Sequence, residues 1–359
     1  MFHIGNPIAV FVFLLVLAIF LTVKGRGRIQ NFGLAGTSIL AVLSLCEVAA
    51  TIWEPPHPSR TIADLDKSGG KLIDHRPVVG WGPTAPGRYE SRQFLDGKLI
   101  YDATYTIGSD LLRKVDSGSD GKGVAFLGDS VIFGEGIQDG DTLPQQFADL
   151  EGRASPVYNL GFSAYSPAQA LAEMRAGLYD KDLSNSRLIV EFVAPWHADR
   201  VSCKVSWVEG APRFLSINGR IVQTGTCQPT ASPLSYFAMF RFFRPPTMTT
   251  VTDRDVALLT AITEQVIRLA REKYHVPIVI FYKREPAYLS SVRMWTDDKI
   301  MQVLRDAGAE VLEYVVPPGA QYRIAGDGHP TGLTNTLCAR KLYDFVREQF
   351  PDIETTAAR

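Results

Sequence analysis

An excess of charge of either sign is missing from this chain. Its 37 Lys and Arg stand against 38 Asp and Glu, a formal net charge of -1 over 359 residues. That balance lacks the electrostatic footprint of a nucleic-acid-binding protein, and no nucleic-acid partner is expected. Cysteine is scarce at four and histidine at six, and no Cys/His group has metal-ligand spacing. Neither a metal nor another cofactor is therefore expected. There is no internal repeat and no low-complexity tract.

Long apolar runs are present, and they are confined to the N-terminus. Pro7 to Val23 is apolar throughout, as is most of Gly33 to Ile52. The first is near the lower length limit for a bilayer span and the second is of ordinary length. Lys24-Gly25-Arg26-Gly27-Arg28 lies between them. A cleaved signal peptide carries its charges before the apolar core and a small-residue cleavage site after it. Here the charges follow the core, and a second apolar run follows the charges. A buried helical hairpin fits poorly, because neither run has a polar face. Residues 1–53 therefore read as two transmembrane helices. The positive-inside rule places the basic loop in the cytoplasm and everything after Trp53 outside. For a bacterial chain that means the inner (cell) membrane, with the remainder in the periplasm.

Residues 54–121 read as a linker, Glu54 to Asp74, and a small β-rich lead-in. The linker holds Pro55, Pro56 and Pro58. Short strands are expected around Val78–Gly82 and Leu99–Ile107, the latter alternating like a half-exposed strand. From 122 to 352 strand and helix patterns alternate. Strands are expected at Val124–Leu127, Val157–Leu160, Leu188–Val193, Val276–Tyr282 and Val311–Val316. Helices are expected at Leu143–Leu150, Pro167–Leu178, Val256–Lys273, Asp297–Ala307 and Leu333–Gln349. Such alternation implies an α/β domain, a parallel sheet covered on both faces. An insertion at about 201–250 interrupts it. Within it, Asn218-Gly219 between alternating runs is a strong hairpin signal. Cys203 and Cys227 flank that hairpin. They could pair as a disulfide in an oxidising compartment or stand as two free thiols. The aromatic stripe Tyr236 to Arg244 could meet a membrane surface, line a substrate groove, or be core.

The chemistry-bearing feature is Val124-Ala125-Phe126-Leu127-Gly128-Asp129-Ser130. A short apolar run bounded by turn residues reads as a buried parallel strand. Gly128 lets the chain turn, which puts the Ser130 hydroxyl at the carboxyl end of the strand, where open α/β sheets bind ligands. A nucleophilic serine needs a base and a group that orients the base. His3, His57, His75 and His275 lie in unsuitable places, which leaves His197 and His329. His329 sits in Gly326-Asp327-Gly328-His329-Pro330, a loop before a helix. Asp327 is close enough to bond the other ring nitrogen.

The strand ending in Gly-Asp-Ser130, paired with Asp327-Gly-His329-Pro, resembles the SGNH, or GDSL-type, hydrolase superfamily over roughly residues 122 to 350. The resemblance implies a three-layer α/β/α, flavodoxin-like parallel sheet and serine esterase, lipase, deacetylase or acyltransferase chemistry. It implies a catalytic Ser130, His329 and Asp327, with the Ser130 amide in the oxyanion hole. Two blocks depart from the family pattern. Where the family has Asn-x-x-x-x-Gly, this chain reads Asn159-Leu160-Gly161-Phe162-Ser163-Ala164, so Ala164 takes the place of the glycine amide donor. The third block has no Asn. The strand runs into Ala194-Pro195-Trp196-His197-Ala198-Asp199-Arg200, where His197 is the nearest side chain able to donate to an oxyanion. Its other reading is structural, holding that loop with Asp199. The spacing Asp-x-His is one residue shorter than the usual Asp-x-x-His.

Three functions follow from these readings. The first is a membrane-anchored extracytoplasmic serine esterase acting on acyl, chiefly acetyl, esters of a carbohydrate or envelope polymer. The second is a polysaccharide O-acetyltransferase using the same triad, which with only two spans would need a membrane acyltransferase or export partner. The third is a non-catalytic subunit of a polysaccharide assembly complex.

Overall fold

The computed structural model describes residues 7–53, 60–66, 70–228, 237–243 and 251–351. They fall into two compact units, Met1–His57 with Thr230–Thr249, and Pro58–Pro229 with Thr250–Arg359. The small unit begins with α1 (Pro7–Lys24) and α2 (Arg28–Trp53). The two helices pack closely at Gly33, where a Cβ would stand 2.5 Å from the Thr22 backbone nitrogen. By length and composition α2 is apolar enough to cross a membrane, while the apolar stretch Phe13–Lys24 within α1 is shorter. Of the two expected spans, one meets the length criterion among the described residues.

The large unit opens with β1 (Arg60–Asp66), β2 (Asp74–Arg76), β3 (Gly80–Gly82), β4 (Gly87–Leu95) and β5 (Lys98–Ile107). Strands β1, β4 and β5 form an antiparallel sheet in that order, and β2 pairs with β3. Part of the stretch read as linker is thus a strand, with Arg60 to Asp66 paired against Leu95 to Tyr89. Residues Arg60 to Ala63 are exposed, so this edge strand leaves no apolar run in the sequence to betray it.

The α/β domain follows: β6 (Gly123–Leu127), α3 (Ser130–Phe133), α4 (Leu143–Leu150), β7 (Val157–Asn159), α5 (Pro167–Ala176), α6 (Asp180–Ser184), β8 (Ser186–Val193) and α7 (His197–Val201). The hairpin β9 (Pro212–Ile217) and β10 (Arg220–Thr226) comes next, then α8 (Ala238–Phe243) of the small unit. The chain finishes with α9 (Asp253–Glu272), β11 (Ile278–Lys283), α10 (Asp297–Asp306), β12 (Glu310–Tyr314) and α11 (Gly332–Gln349). The central sheet is parallel in the order β12-β11-β8-β6-β7. In the domain's own strand count that is 2-1-3-4-5, the flavodoxin-like doubly wound order. Alternate residues of β8 explain the layers. Ile189 and Val193 pack with Leu171 of α5, Leu259 of α9 and Ile300 of α10. Val190 and Phe192 pack with Phe147 of α4 and Leu342 of α11. The domain is therefore a three-layer α/β/α sandwich, with β8 buried at every position.

Within the insertion, Cys203 and Cys227 are joined in a disulfide across 24 residues. Closing a loop of that length contributes on the order of 3 kcal/mol by restricting the unfolded chain. Cys46 and Cys338 are free. Of the aromatic stripe, Ala238 is buried, as the core reading expects. The stripe's described residues form α8, which packs on α2 within the small unit. The Glu47 carboxylate accepts from the Ala238 and Met239 backbone nitrogens at 2.5 and 3.0 Å. Tyr236 and Arg244 lie outside the described residues.

Candidate active site

Strand β6 delivers Ser130 to the carboxyl edge of the sheet, at the point between β6 and β8 where the strand order reverses. Ligands of doubly wound sheets bind in that crevice. The turn needs glycine at 128, where φ is +155° and a Cβ would stand 2.6 Å from the Ile132 side chain. Asp129 caps α3, its Oδ1 accepting from the Val131 nitrogen at 2.9 Å. Ser130 is then the first residue of the helix and 6% exposed.

The loop before α11 brings His329 to Ser130. The His329 carbonyl accepts from the Ile324 nitrogen at 2.8 Å and so closes the loop around Gly326 and Gly328. His329 Nε2 lies 2.8 Å from Ser130 Oγ, across 199 residues of sequence. His329 Nδ1 is hydrogen-bonded to Asp327 Oδ2, which also accepts from the His329 backbone nitrogen at 3.3 Å. The shorter Asp-x-His spacing therefore still closes the contact, because the carboxylate folds back over its own turn. Asp327 Oδ1 accepts from Arg60 Nη1 at 3.3 Å, and Arg60 Nη2 donates to the Gly326 carbonyl at 3.0 Å. The edge strand of the lead-in thus holds Asp327 and its loop in place.

Asn159 ties the second block to the helix that begins at Ser130. Its Nδ2 donates to the Ile132 carbonyl at 3.0 Å, and its Oδ1 accepts from the Gly161 nitrogen at 3.1 Å. Phe162 N–H donates to the Gly128 carbonyl at 3.2 Å. The loop then reaches Ala164 with φ at +63°, the left-handed region that glycine occupies freely and alanine at a cost of about 1 kcal/mol. Ala164 N–H makes no backbone hydrogen bond among the described residues.

The third block differs from expectation. His197 is fully buried, and its ring faces Asp129. Nδ1 accepts from the Ala194 nitrogen at 3.3 Å, so the ring proton is on Nε2 and goes to Asp129 Oδ2 at 3.0 Å. No ring N–H remains for an oxyanion. Nor does Asp199 hold the ring; the partner is Asp129. Asp129 Oδ2 accepts in addition from Trp196 Nε1 at 3.2 Å and Arg200 Nη1 at 3.0 Å. Burial pushes the Asp129 carboxyl up, but the His197 hydrogen bond and the Arg200 charge outweigh it and hold the group well below the usual carboxylate range. Burial holds His197 neutral against the pull of that carboxylate.

The lead-in also shapes the far wall. Arg113, wholly buried, donates to the Phe133, Gly134 and Ile137 carbonyls at 2.7, 2.6 and 2.8 Å. Tyr105 OH accepts from Gly136 N–H at 2.8 Å. The result is a cleft of about 710 Å³ that contains Ser130, Ala164 and His329, walled by Trp81, Tyr101, Tyr105 and Trp207. Glu135 also lines it, its Oε2 accepting from Ser163 Oγ at 2.7 Å. Burial works against a charged His329. The Asp327 hydrogen bond and the negative charge of Glu135, Asp327 and Asp129 outweigh it and raise the imidazole above its ordinary value. Asp327 is lowered, the His329 contact overcoming its own burial. Among the described residues no cluster of His, Cys, Asp and Glu could hold a metal ion.

No protein-family model and no curated protein matches the chain. Several solved structures resemble it. One is a carbohydrate acetylesterase family member from Sinorhizobium meliloti, at 12% identity and TM-score 0.37, covering 64% of this chain and 99% of that one. Another is an acetyl xylan esterase, Est2A, from the rumen bacterium Butyrivibrio proteoclasticus, at 11% identity and TM-score 0.40, covering 76% and 80%. A third is AlinE4, an SGNH-hydrolase family esterase, at 14% identity and TM-score 0.35, covering 67% and 98%. The large unit has the doubly wound α/β/α fold that the sequence motifs imply, with the serine at the end of its first parallel strand.

Reading the sequence missed Arg60, Arg113, Glu135 and Arg200 as parts of the site. No local pattern marks them, since each acts through a contact made by the fold.

Proposed function

We propose that this chain is a serine ester hydrolase of the SGNH type, a membrane-anchored esterase acting on acyl esters, chiefly acetyl esters, of a carbohydrate or envelope polymer. The observation that carries this reading is the hydrogen-bonded line from Asp327 through His329 to Ser130, ending in an open cleft. His329 Nε2 takes the proton of Ser130 Oγ as the oxygen attacks the ester carbonyl. Asp327 keeps the other ring proton on Nδ1 and stabilises the imidazolium. The Ser130 and Ala164 backbone N–H groups donate to the carbonyl oxygen as negative charge develops on it. The imidazolium then protonates the departing alcohol, and water repeats the sequence to release the acid. Aromatic walls beside Glu135 suit a sugar, whose ring has apolar faces and a rim of hydroxyls. A fluorophosphonate probe should label Ser130 in the full chain, and acetate release from acetylated polysaccharide should follow. Transfer of acetyl to a sugar without acetate release would move the reading to a transferase. Absence of labelling would leave only a non-catalytic role.

The pH dependence follows from the raised His329. The base works only when unprotonated, so kcat/KM rises with pH along a limb displaced above the ordinary imidazole range. Glu135→Gln removes one of the charges that favour the imidazolium. Its limb should lie at lower pH than the parent's; a limb unmoved or raised would separate Glu135 from the base.

Anchoring rests on α2, and the external placement of the large unit on the basic Lys24 to Arg28 loop before it. The Cys203–Cys227 disulfide agrees with an oxidising compartment. A C-terminal alkaline phosphatase fusion should be active and a fluorescent-protein fusion dark. The opposite pair of results would put the enzyme in the cytoplasm.

A further inference from the structure

The family's third oxyanion donor is an Asn that this chain lacks, and His197 cannot replace it. We propose that Arg200 takes the place, its guanidinium donating to the carbonyl oxygen as negative charge develops there. This rests on the ester-hydrolase reading and adds a third, cationic donor to it.

The case is positional. Arg200 Nη1 donates to Asp129 Oδ2 at 3.0 Å and to the Tyr165 carbonyl at 2.6 Å. Asp129 immediately precedes Ser130, and Tyr165 immediately follows Ala164. The guanidinium therefore bridges the two residues adjoining the two backbone donors. It lines the same cleft as Ser130, Ala164 and His329, and its side chain keeps 14% exposure there. Both anchors use Nη1. A guanidinium carries five N–H groups in a fixed fork. Its Nη2 and Nε make no hydrogen bond among the described residues. They are donors held by a rigid anchor and left for a ligand, the arrangement that electrostatic preorganisation needs.

His197 and Trp196 have a complementary part. They supply Asp129 with two neutral donors, so the carboxylate does not depend on Arg200 alone. In the reaction the Ser130 Oγ–C bond forms while the carbonyl π pair moves onto oxygen. The serine proton goes to His329 Nε2. Arg200 donates hydrogen bonds to the new oxyanion and transfers no proton. When the tetrahedral intermediate collapses, the pair returns and the alcohol leaves with the proton from His329.

The test uses the full chain in detergent with a short acyl ester. Arg200→Gln should lower kcat by about 100-fold or more, with KM within a few-fold. Its affinity for an alkylboronic acid, which forms an anionic tetrahedral adduct on Ser130, should fall in parallel. Affinity for the neutral alcohol product should not change. Arg200→Lys keeps the ion pair with Asp129 and should retain more activity than Arg200→Gln. Added guanidinium should restore part of the rate to Arg200→Ala. A kcat for Arg200→Gln within threefold of the parent overturns the proposal. So does a loss of rate without loss of boronate affinity, which would mean that Arg200 only positions the loop. If Arg200→Gln melts far below the parent, Arg200→Lys and the guanidinium rescue decide, and no rescue overturns it. A parent chain that neither hydrolyses esters nor takes the fluorophosphonate fails earlier, at the ester-hydrolase reading itself.

Discussion

Ser130→Ala should lower ester hydrolysis by several orders of magnitude, to the residue left by binding and the oxyanion donors. Removing the serine or the histidine of such a unit costs on the order of a millionfold in kcat. The hydroxyl has one described side-chain partner, His329 Nε2, and its loss leaves no cavity of consequence. The variant should therefore melt close to the parent while losing turnover and fluorophosphonate labelling together. His329→Ala should lose about as much, and the double variant little more, because the groups act as one device. Turnover near the parent level in purified Ser130→Ala would remove the assignment of all three residues.

Glu191→Gln should make the protein markedly more stable above neutral pH. Glu191 lies in the middle of β8, registered against Leu127 on one side and Ile280 on the other. It is 1% exposed, and neither carboxylate oxygen has a hydrogen-bond partner among the described residues. Burial alone pushes its pKa from 4.5 up to about 8. The folded state therefore holds a proton that the unfolded state gives up between those two values. Stability falls as pH rises through that window, since fewer protons are bound by the unfolded chain. At 1.36 kcal/mol per unit, the fall from pH 5 to pH 8 is on the order of 3 kcal/mol from this residue. Glutamine has nearly the same shape and no charge to bury. Urea unfolding of parent and variant at pH 5 and pH 8 should show their difference growing by that amount at the higher pH. A difference independent of pH would mean that Glu191 meets water or a cation in the folded protein.

Much of the architecture was legible in the sequence. Most of the five parallel strands show as short apolar runs between turn residues, such as Val124 to Leu127 and Ile278 to Tyr282, because a strand covered on both faces has little polar side to show. Their parallel pairing could be anticipated from strand–helix alternation, while the flavodoxin-like arrangement was implied only by the family resemblance. Ser130 was visible because glycine at 128 and a hydroxyl at a strand end are local features. Asp327 and His329 were visible because a carboxylate and an imidazole share one turn. In each case the information lies within a few residues of the feature itself.

The tertiary structure decided what depends on direction and distant pairing. His197 and Arg200 sit three residues apart on one short helix, and either could have faced the cleft. The choice was made by Asp129, 68 residues before His197, whose carboxylate takes the imidazole N–H and leaves the guanidinium at the cleft. Arg60 reaches Asp327 across 267 residues from a strand with no apolar run. The stripe around Phe240 joined α2 through Glu47, 191 residues before Ala238. Residue type and spacing state what a side chain can do. Which of several capable side chains does it depends on the partner that the fold brings near, and a buried carboxylate with few available donors settles that by the cost of leaving any of them unpaired.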